Sequence, residues 1–390
     1  MSTLKVDAIR HNSATSDAIT TAADGTCTAR ITGMTGGGAL SHRNKIINGA
    51  MTVKQRSDLT MTTSSTYSLD RWRAAVGSSF NWSSATVTQS TTSPDGFGSS
   101  LKVDIASTNT PTGSQNGLIQ TKIEGQDLQD LAYGTSSAKQ CTLSFYVRSN
   151  KTGTYCVQVA NTANTKYVLF DYTINSADTW ERKSVTFSGN TANTLNNDNA
   201  LCFDVNFHLA TGSDDHVSAT STWTTYSGGS YKSTSNQVNL FDNASNEWYL
   251  TGVQLEVGDT ATSYEHRNFA EELEHCKRYF FVLGKDANRN TTQLSMPFIN
   301  EHPSNTSGYI NFRFQPEMRA TPSVTIGSEL QLGEPQVGMS NHKVSAFSGL
   351  SPTGSYYFQY TNQTGSTGDS NMYIRIGHHA DSYAEFNAEM

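Results

Sequence analysis

Charge is scarce in this chain. Charged residues are 16% of its 390 positions, against roughly a quarter in an ordinary globular protein. Lysine and glutamate, both strong helix formers, share in that shortage, so helix should be rare. No block of Lys and Arg occurs, and the formal net charge is -7. That excludes the basic stripe of a nucleic-acid-binding protein. No apolar run is long enough to cross a bilayer, so no membrane insertion is expected. Met1-Ser2-Thr3-Leu4-Lys5 lacks an apolar signal core, and synthesis in a cytoplasm is expected. The five cysteines, Cys27, Cys141, Cys156, Cys202 and Cys276, are scattered without a C-x-x-C pair. Reduced thiols acting as small buried hydrophobes fit that pattern. The G-x-S-x-G, H-E-x-x-H and G-x-x-x-x-G-K motifs are all missing. The chain is therefore read as a non-enzyme, with no cofactor and no metal.

Ser, Thr, Asn and Gly fill the gap, and aromatics reach 10%. Aromatic and β-branched residues alternate with polar ones in many short runs, the mark of thin β-sheets with one wet face. The cleanest is Leu201-Phe203-Val205-Phe207-Leu209, whose opposite face is Cys202, Asp204, Asn206 and His208. Similar runs lie at 101–105, 143–147, 155–159, 168–174, 309–314, 356–360 and 372–376. Turn signals such as Ser93-Pro94-Asp95-Gly96 separate them. The fold class is all-β.

Residues 1–43 contain no Phe, Trp or Tyr. A segment with so little apolar mass cannot build a core alone, so it reads as an assembly arm that needs partners. Gly36-Gly37-Gly38 is its flexible exit. Residues 44–267 read as one large β-sandwich domain, 268–284 as a linking helix, and 285–390 as a smaller β domain. The joint carries most of the information. Trp248 to Val257 is a strand, ended by Gly258-Asp259. Leu273, Cys276 and Phe280 then share one helical face, with Glu271, Glu272 and Glu274 at the end where the helix dipole favours anions.

Three segments carry a resemblance. The first is Asn44-Lys45-Ile46-Ile47-Asn48-Gly49-Ala50-Met51, with Gln55-Arg56 and Tyr67-Ser68-Leu69-Asp70-Arg71-Trp72. The second is Val253-Gln254-Leu255-Glu256-Val257-Gly258, with Tyr264-Glu265-His266-Arg267 and Cys276-Lys277-Arg278-Tyr279-Phe280. The third runs from Phe314 to Val324. Their order resembles tail fibre and adhesion proteins of tailed bacteriophages. Ser2 to Ile9 is similar to the start of structural proteins in phages of marine cyanobacteria. The resemblance implies a jelly-roll, carbohydrate-binding-module-like sandwich and a C-terminal tip sandwich in a homotrimer. It also implies attachment to phage tail adaptor or nozzle proteins through residues 1–43, and a host-surface polysaccharide or lipopolysaccharide as target. A head fibre or capsid decoration without receptor role stays open, as does a polysaccharide-depolymerising tailspike.

Sugar binding takes exposed aromatic rings beside hydroxyl, amide or carboxylate groups. The loop from Trp223 to Tyr231 sets Trp223, Tyr226 and Tyr231 in a Gly/Ser background and nominates them as sugar contacts, the alternative being a core Trp223 with tyrosines that anchor the loop. Tyr356 and Tyr357 must lie on opposite faces of their strand, which nominates Tyr357 for the outer face. His379 reads as a further sugar contact or as part of an exposed loop. His378 and His379, being adjacent in a strand, cannot both face one axis, so a shared axial metal is not expected. Asp214-Asp215-His216 reads as a solvated turn, with a surface calcium site as the alternative. Trp72 and Trp248 are expected in the core.

Overall fold

The alternating runs resolve into facing sheets. The computed structural model describes residues 7–9, 19–21, 27–29, 41–82, 85–226, 231–284, 294–297, 307–328, 330–334, 338–360, 373–376 and 383–390. Near the N-terminus, β1 (Ala8–Ile9), β2 (Ile19–Thr21) and β3 (Cys27–Ala29) form a small antiparallel sheet.

The large unit is a two-sheet sandwich. One sheet holds β4 (Leu59–Thr60), β7 (Thr86–Ser90), β8 (Ser100–Asp104), β10 (Cys141–Ser149), β13 (Glu181–Phe187) and β16 (Glu247–Val257). Its order is β13-β10-β16-β8-β7-β4. The other holds β5 (Thr66–Leu69), β6 (Trp72–Gly77), β9 (Asn116–Glu124), β11 (Gly153–Asn161), β12 (Lys166–Ile174), β14 (Leu201–Thr211) and β15 (Thr220–Thr225). Its order is β15-β12-β11-β14-β9-β6-β5. Apolar residues of both inner faces meet in one core that includes Trp72, Phe145, Phe207 and Trp248. Phe207 sits edge-on to Phe145 at 4.9 Å and near Trp248 at 6.1 Å. Burying each such ring contributes roughly 1.5–3 kcal/mol. Cys141, Cys156, Cys202 and Cys276 are buried free thiols; the Cys27 side chain lies outside the described residues.

Strand β16 changes face midway. Trp248 and Leu250 point inward, and so do Val253 and Leu255. The extra residue is a bulge at Gly252, where φ is +60° and the Phe97 and Tyr146 rings approach within 2.8 Å of where a Cβ would stand. Glycine alone fits there.

The chain enters and leaves the sandwich at one corner. The Arg43 and Asn44 amides donate to one Glu265 carboxylate oxygen, at 2.7 and 2.9 Å. The Arg267 guanidinium donates to the Ile46 carbonyl at 3.1 Å and to the Asn44 carbonyl.

The linking helix is shorter than expected. α1 spans Phe269–Lys277, capped by the Asn268 side chain accepting from the Glu271 amide at 2.9 Å. Phe280 is not on its face; it opens strand β17 (Phe280–Leu283), whose aromatic and β-branched residues pair with the C-terminal strand. Glu272 is also more than a dipole partner. It is buried, accepts from the Asn48 amide and pairs with Arg267 at 3.5 Å, so it ties the helix to the sandwich.

In the smaller unit, β17, β25 (Ala384–Asn387) and β20 (Ser323–Ile326) form one sheet in the order β17-β25-β20. The second sheet holds β18 (Leu294–Pro297), β19 (Ser307–Arg313), β21 (Gln331–Glu334), β22 (Gly338–Ser348), β23 (Gly354–Tyr360) and β24 (Tyr373–Ile376). Phe314, Met318, Phe347 and Phe386 join a core between them.

The last residues reach back to the sandwich. The Arg71 guanidinium pairs with Glu389, and Arg56 pairs with the same carboxylate at 3.1 Å. Arg71 also lies 3.4 Å from the Tyr279 ring centroid, and Arg56 lies 3.6 Å from that of Phe280. The Tyr67 hydroxyl donates to the Met390 carbonyl at 2.8 Å.

Candidate functional site

The two sides of the seven-stranded sheet differ in chemistry. Its inner face is aromatic and aliphatic; its outer face carries short polar side chains in register. Arg73 on β6 stands opposite Gln120 on β9, Gln120 opposite Asn206 on β14, and Asn206 opposite Gln158 on β11. On one side of that row lie Lys122, Asp204 and Ala160; on the other lie Ala75, Leu118, His208 and Cys156.

The middle row is a head-to-tail amide ladder. Arg73 Nη1 donates to Gln120 Oε1 at 3.4 Å, Gln120 Nε2 to Asn206 Oδ1 at 2.8 Å, and Asn206 Nδ2 to Gln158 Oε1 at 2.9 Å. Gln158 Nε2 ends the series on the Tyr231 carbonyl. Each amide has two N–H donors and two lone pairs, and the ladder uses only one of each at its inner members. The ladder fixes the side chains and leaves donors and acceptors for another molecule.

A wall rises beside this floor. Tyr226 and Tyr231 stack at 4.2 Å with rings 12° apart, and Tyr231 meets Tyr167 at 5.9 Å. They pack on an outer-face cluster of Cys156, Ala160, Tyr167 and Leu169. Lys232 follows, paired with Asp215 at 3.3 Å. Floor and wall enclose a cleft of about 240 Å³.

Two floor residues carry buried polar atoms without hydrogen bonds. Asp204 is 6% exposed and its Oδ1 has no hydrogen bond; His208 is 1% exposed and neither ring nitrogen has one. Burial pushes the Asp204 carboxyl up to about 6, with Lys122 and Arg73 pulling the other way. Burial, helped by Lys232, holds the His208 imidazole down at about 3, so it is neutral at pH 7. A neutral imidazole offers one donor and one acceptor.

A larger cavity, about 400 Å³, lies at the joint and is lined by Lys45, Arg267, Arg278 and Tyr279 among others. Its cations already have carboxylates: Lys45 with Asp130 at 2.8 Å, Arg278 with Glu124 at 2.9 Å, and Arg267 with Glu272 at 3.5 Å. It presents fewer free groups than the outer-face cleft.

The residues nominated from sequence separate here. Tyr226 and Tyr231 line the cleft. Trp223 packs inward instead, against Tyr133, Phe187 and Phe203, and its Nε1 donates to the Ser188 carbonyl at 2.9 Å. The β15 strand turns that ring toward the sandwich. Tyr357 is in β23, with its side chain outside the described residues, and His379 lies outside them altogether. Asp215 is not in a solvated turn; it is buried, held by Lys232 and by Asn116 Nδ2 at 3.2 Å. Among the described residues no group of three or more His, Cys, Asp or Glu could hold a metal ion. Sequence reasoning missed Gln120, Gln158, Asp204, Asn206 and His208 as site residues. The available signal was the opposite face of β14, which carries an acid, an amide and an imidazole where a wet strand usually carries Thr, Lys or Glu.

No family model matches this chain, and no curated protein matches it. Among solved structures it is similar to the enzymatically active domain of tailspike protein 4 of bacteriophage CBA120, at 12% identity and a TM-score of 0.29. That match covers 55% of this chain and 21% of the tailspike chain, so the chain spans about a fifth of it. It is also similar to a putative sugar-binding protein from Bacteroides thetaiotaomicron, at 14% identity and a TM-score of 0.32, covering 55% of this chain and 100% of that one. A third is the CBM22-2 xylan-binding domain from Paenibacillus barcinonensis Xyn10C, at 14% identity and a TM-score of 0.28, covering 48% and 91%. These are likenesses of fold alone.

Proposed function

We propose that this chain is a virion appendage protein, a tail fibre of a tailed phage, that holds a host-surface glycan in the outer-face cleft. It works by binding. Asp204 is the one carboxylate lining the cleft among its described residues, and glycoside hydrolysis ordinarily takes a facing pair. Residues 1–43 join the tail, and three copies associate, so weak single sites add up through avidity. The three tail-fibre-like segments support the appendage reading, and the small aromatic-free arm supports attachment through a partner.

One observation carries the binding reading. Asp204 Oδ1 and both nitrogens of His208 are buried without partners in an open cleft. Each unsatisfied buried group costs about 1–3 kcal/mol. A polyhydroxylated chain lying along β14 meets them, with the amide ladder between. Immobilised bacterial surface polysaccharides should retain the protein, and Asn206→Leu with His208→Phe should abolish retention while a cooperative melt shows that the variant is folded. Retention unchanged in that variant rejects the cleft. Antibody against residues 285–390 should label the distal ends of tail appendages by electron microscopy; label spread over the capsid rejects the tail assignment.

A further inference from the structure

The cleft is electrically asymmetric. Arg73 and Lys122 sit on neighbouring strands and face outward, both half-buried. Lys122 is two residues beyond Gln120 on the same face of β9, roughly 7 Å along the strand. Cations elsewhere in the chain are commonly paired, as expected where 34 acidic residues meet 27 basic ones. Arg73 and Lys122 have no carboxylate within ion-pair distance among the described residues. Asp204 stands directly opposite Lys122 in the ladder, yet its Oδ1 is unpartnered. Arg73 and Asp204 thus line one end of the cleft and Lys122 stands beside it, opposite Asp204, with no ion pair joining the three among the described residues.

Resting on the cleft as the glycan site, we propose that it selects an anionic polysaccharide, one whose repeating sugar carries a carboxylate or a sulfate. The anionic group lies between Arg73 and Lys122. Arg73 offers a planar fork that matches a carboxylate or sulfate edge, and Lys122 adds a point charge. Asp204 accepts from a hydroxyl of the same sugar, while Asn206 and Gln158 hold the next. A neutral glycan satisfies the floor but gives neither cation an ion-pair partner, and a polyanion lacking hydroxyl donors meets the Asp204 carboxylate.

The test is affinity electrophoresis of the full chain in gels containing polygalacturonate, carrageenan or neutral xylan. Polygalacturonate or carrageenan should retard the protein more than xylan does. Arg73→Gln and Lys122→Gln should each weaken that binding roughly ten-fold, and added salt should weaken it further. Retardation by carrageenan alone places a sulfate between the cations; by polygalacturonate alone, a carboxylate. Equal retardation by xylan, unaffected by Arg73→Gln, overturns the charge selectivity and leaves the glycan reading standing. Retention by none of the three overturns the selectivity, and if Asn206→Leu also changes no retention on bacterial surface polysaccharides, the glycan reading falls with it. Melting temperatures of both charge variants should match the parent, which separates lost binding from lost fold.

Discussion

Removing Glu389 should destabilise the sandwich, which it grips through Arg71, 318 residues earlier in the chain. The Arg71 and Glu389 side chains are 1% and 3% exposed. Glu389→Ala leaves the Arg71 guanidinium buried against the Tyr279 ring and the Lys122 carbonyl, with no carboxylate. Breaking a buried pair from one side costs about 3–5 kcal/mol. At ~2–4 °C per kcal/mol for a domain of this size, the melting temperature should fall by ~6–20 °C. Arg71→Met should cost a similar amount, because Glu389 then keeps only Arg56. Arg71→Met with Glu389→Ala should cost less than the two single changes together, since the bare charge is gone. The assay is thermal unfolding followed by near-ultraviolet dichroism, with the four proteins forming a double-mutant cycle. A fall below about 2 °C for Glu389→Ala, or strict additivity in the cycle, would show that the two side chains do not act as a buried pair.

Acid should act on the cleft in two opposed ways. His208, held near 3, sits below its ordinary 6.5, so its stabilising contribution is full above pH 6.5 and is lost as pH falls toward 3. Asp204, raised from 3.8 to about 6, contributes most below pH 3.8 and loses that contribution as pH rises through 6. Asp204→Asn should therefore gain on the parent between about pH 4 and pH 7, by at most about 3 kcal/mol, and His208→Gln should flatten the acid limb. Urea midpoints across that range check both; profiles parallel to the parent would contradict the burial of these groups. Phe207→Asp should prevent folding, because it buries a charge between Phe145 and Trp248. A normal cooperative melt would show that this face of β14 is not the core.

Much of the sandwich was legible because alternation reports a face directly. Leu201 to Leu209 predicts β14 almost residue for residue, and the strand from Trp248 was visible for the same reason. The bulge at Gly252 was not, since a switch of face within a strand looks like a lapse in pattern until its partner β10 is known. Phe280 was misplaced because an aromatic three positions beyond Lys277 suits a helix face as well as a strand. Glu272 looked like a dipole charge; its real partners, Asn48 and Arg267, come from either side of the whole sandwich. The cleft was hidden for a related reason. Gln120, Gln158 and Asn206 come from three separate strands, and only pairing register turns them into one ladder.

The corner where the sandwich begins and ends has a mechanical meaning. Residues 43–46 and 265–267 are bonded to each other, so the arm and the linking helix depart side by side. A pull between residue 43 and the start of the linking helix runs through that clamp and largely bypasses the two sheets. The sandwich hangs beside the line of tension as a pendant. Such a pull would load a handful of hydrogen bonds in shear, while the cleft kept its shape.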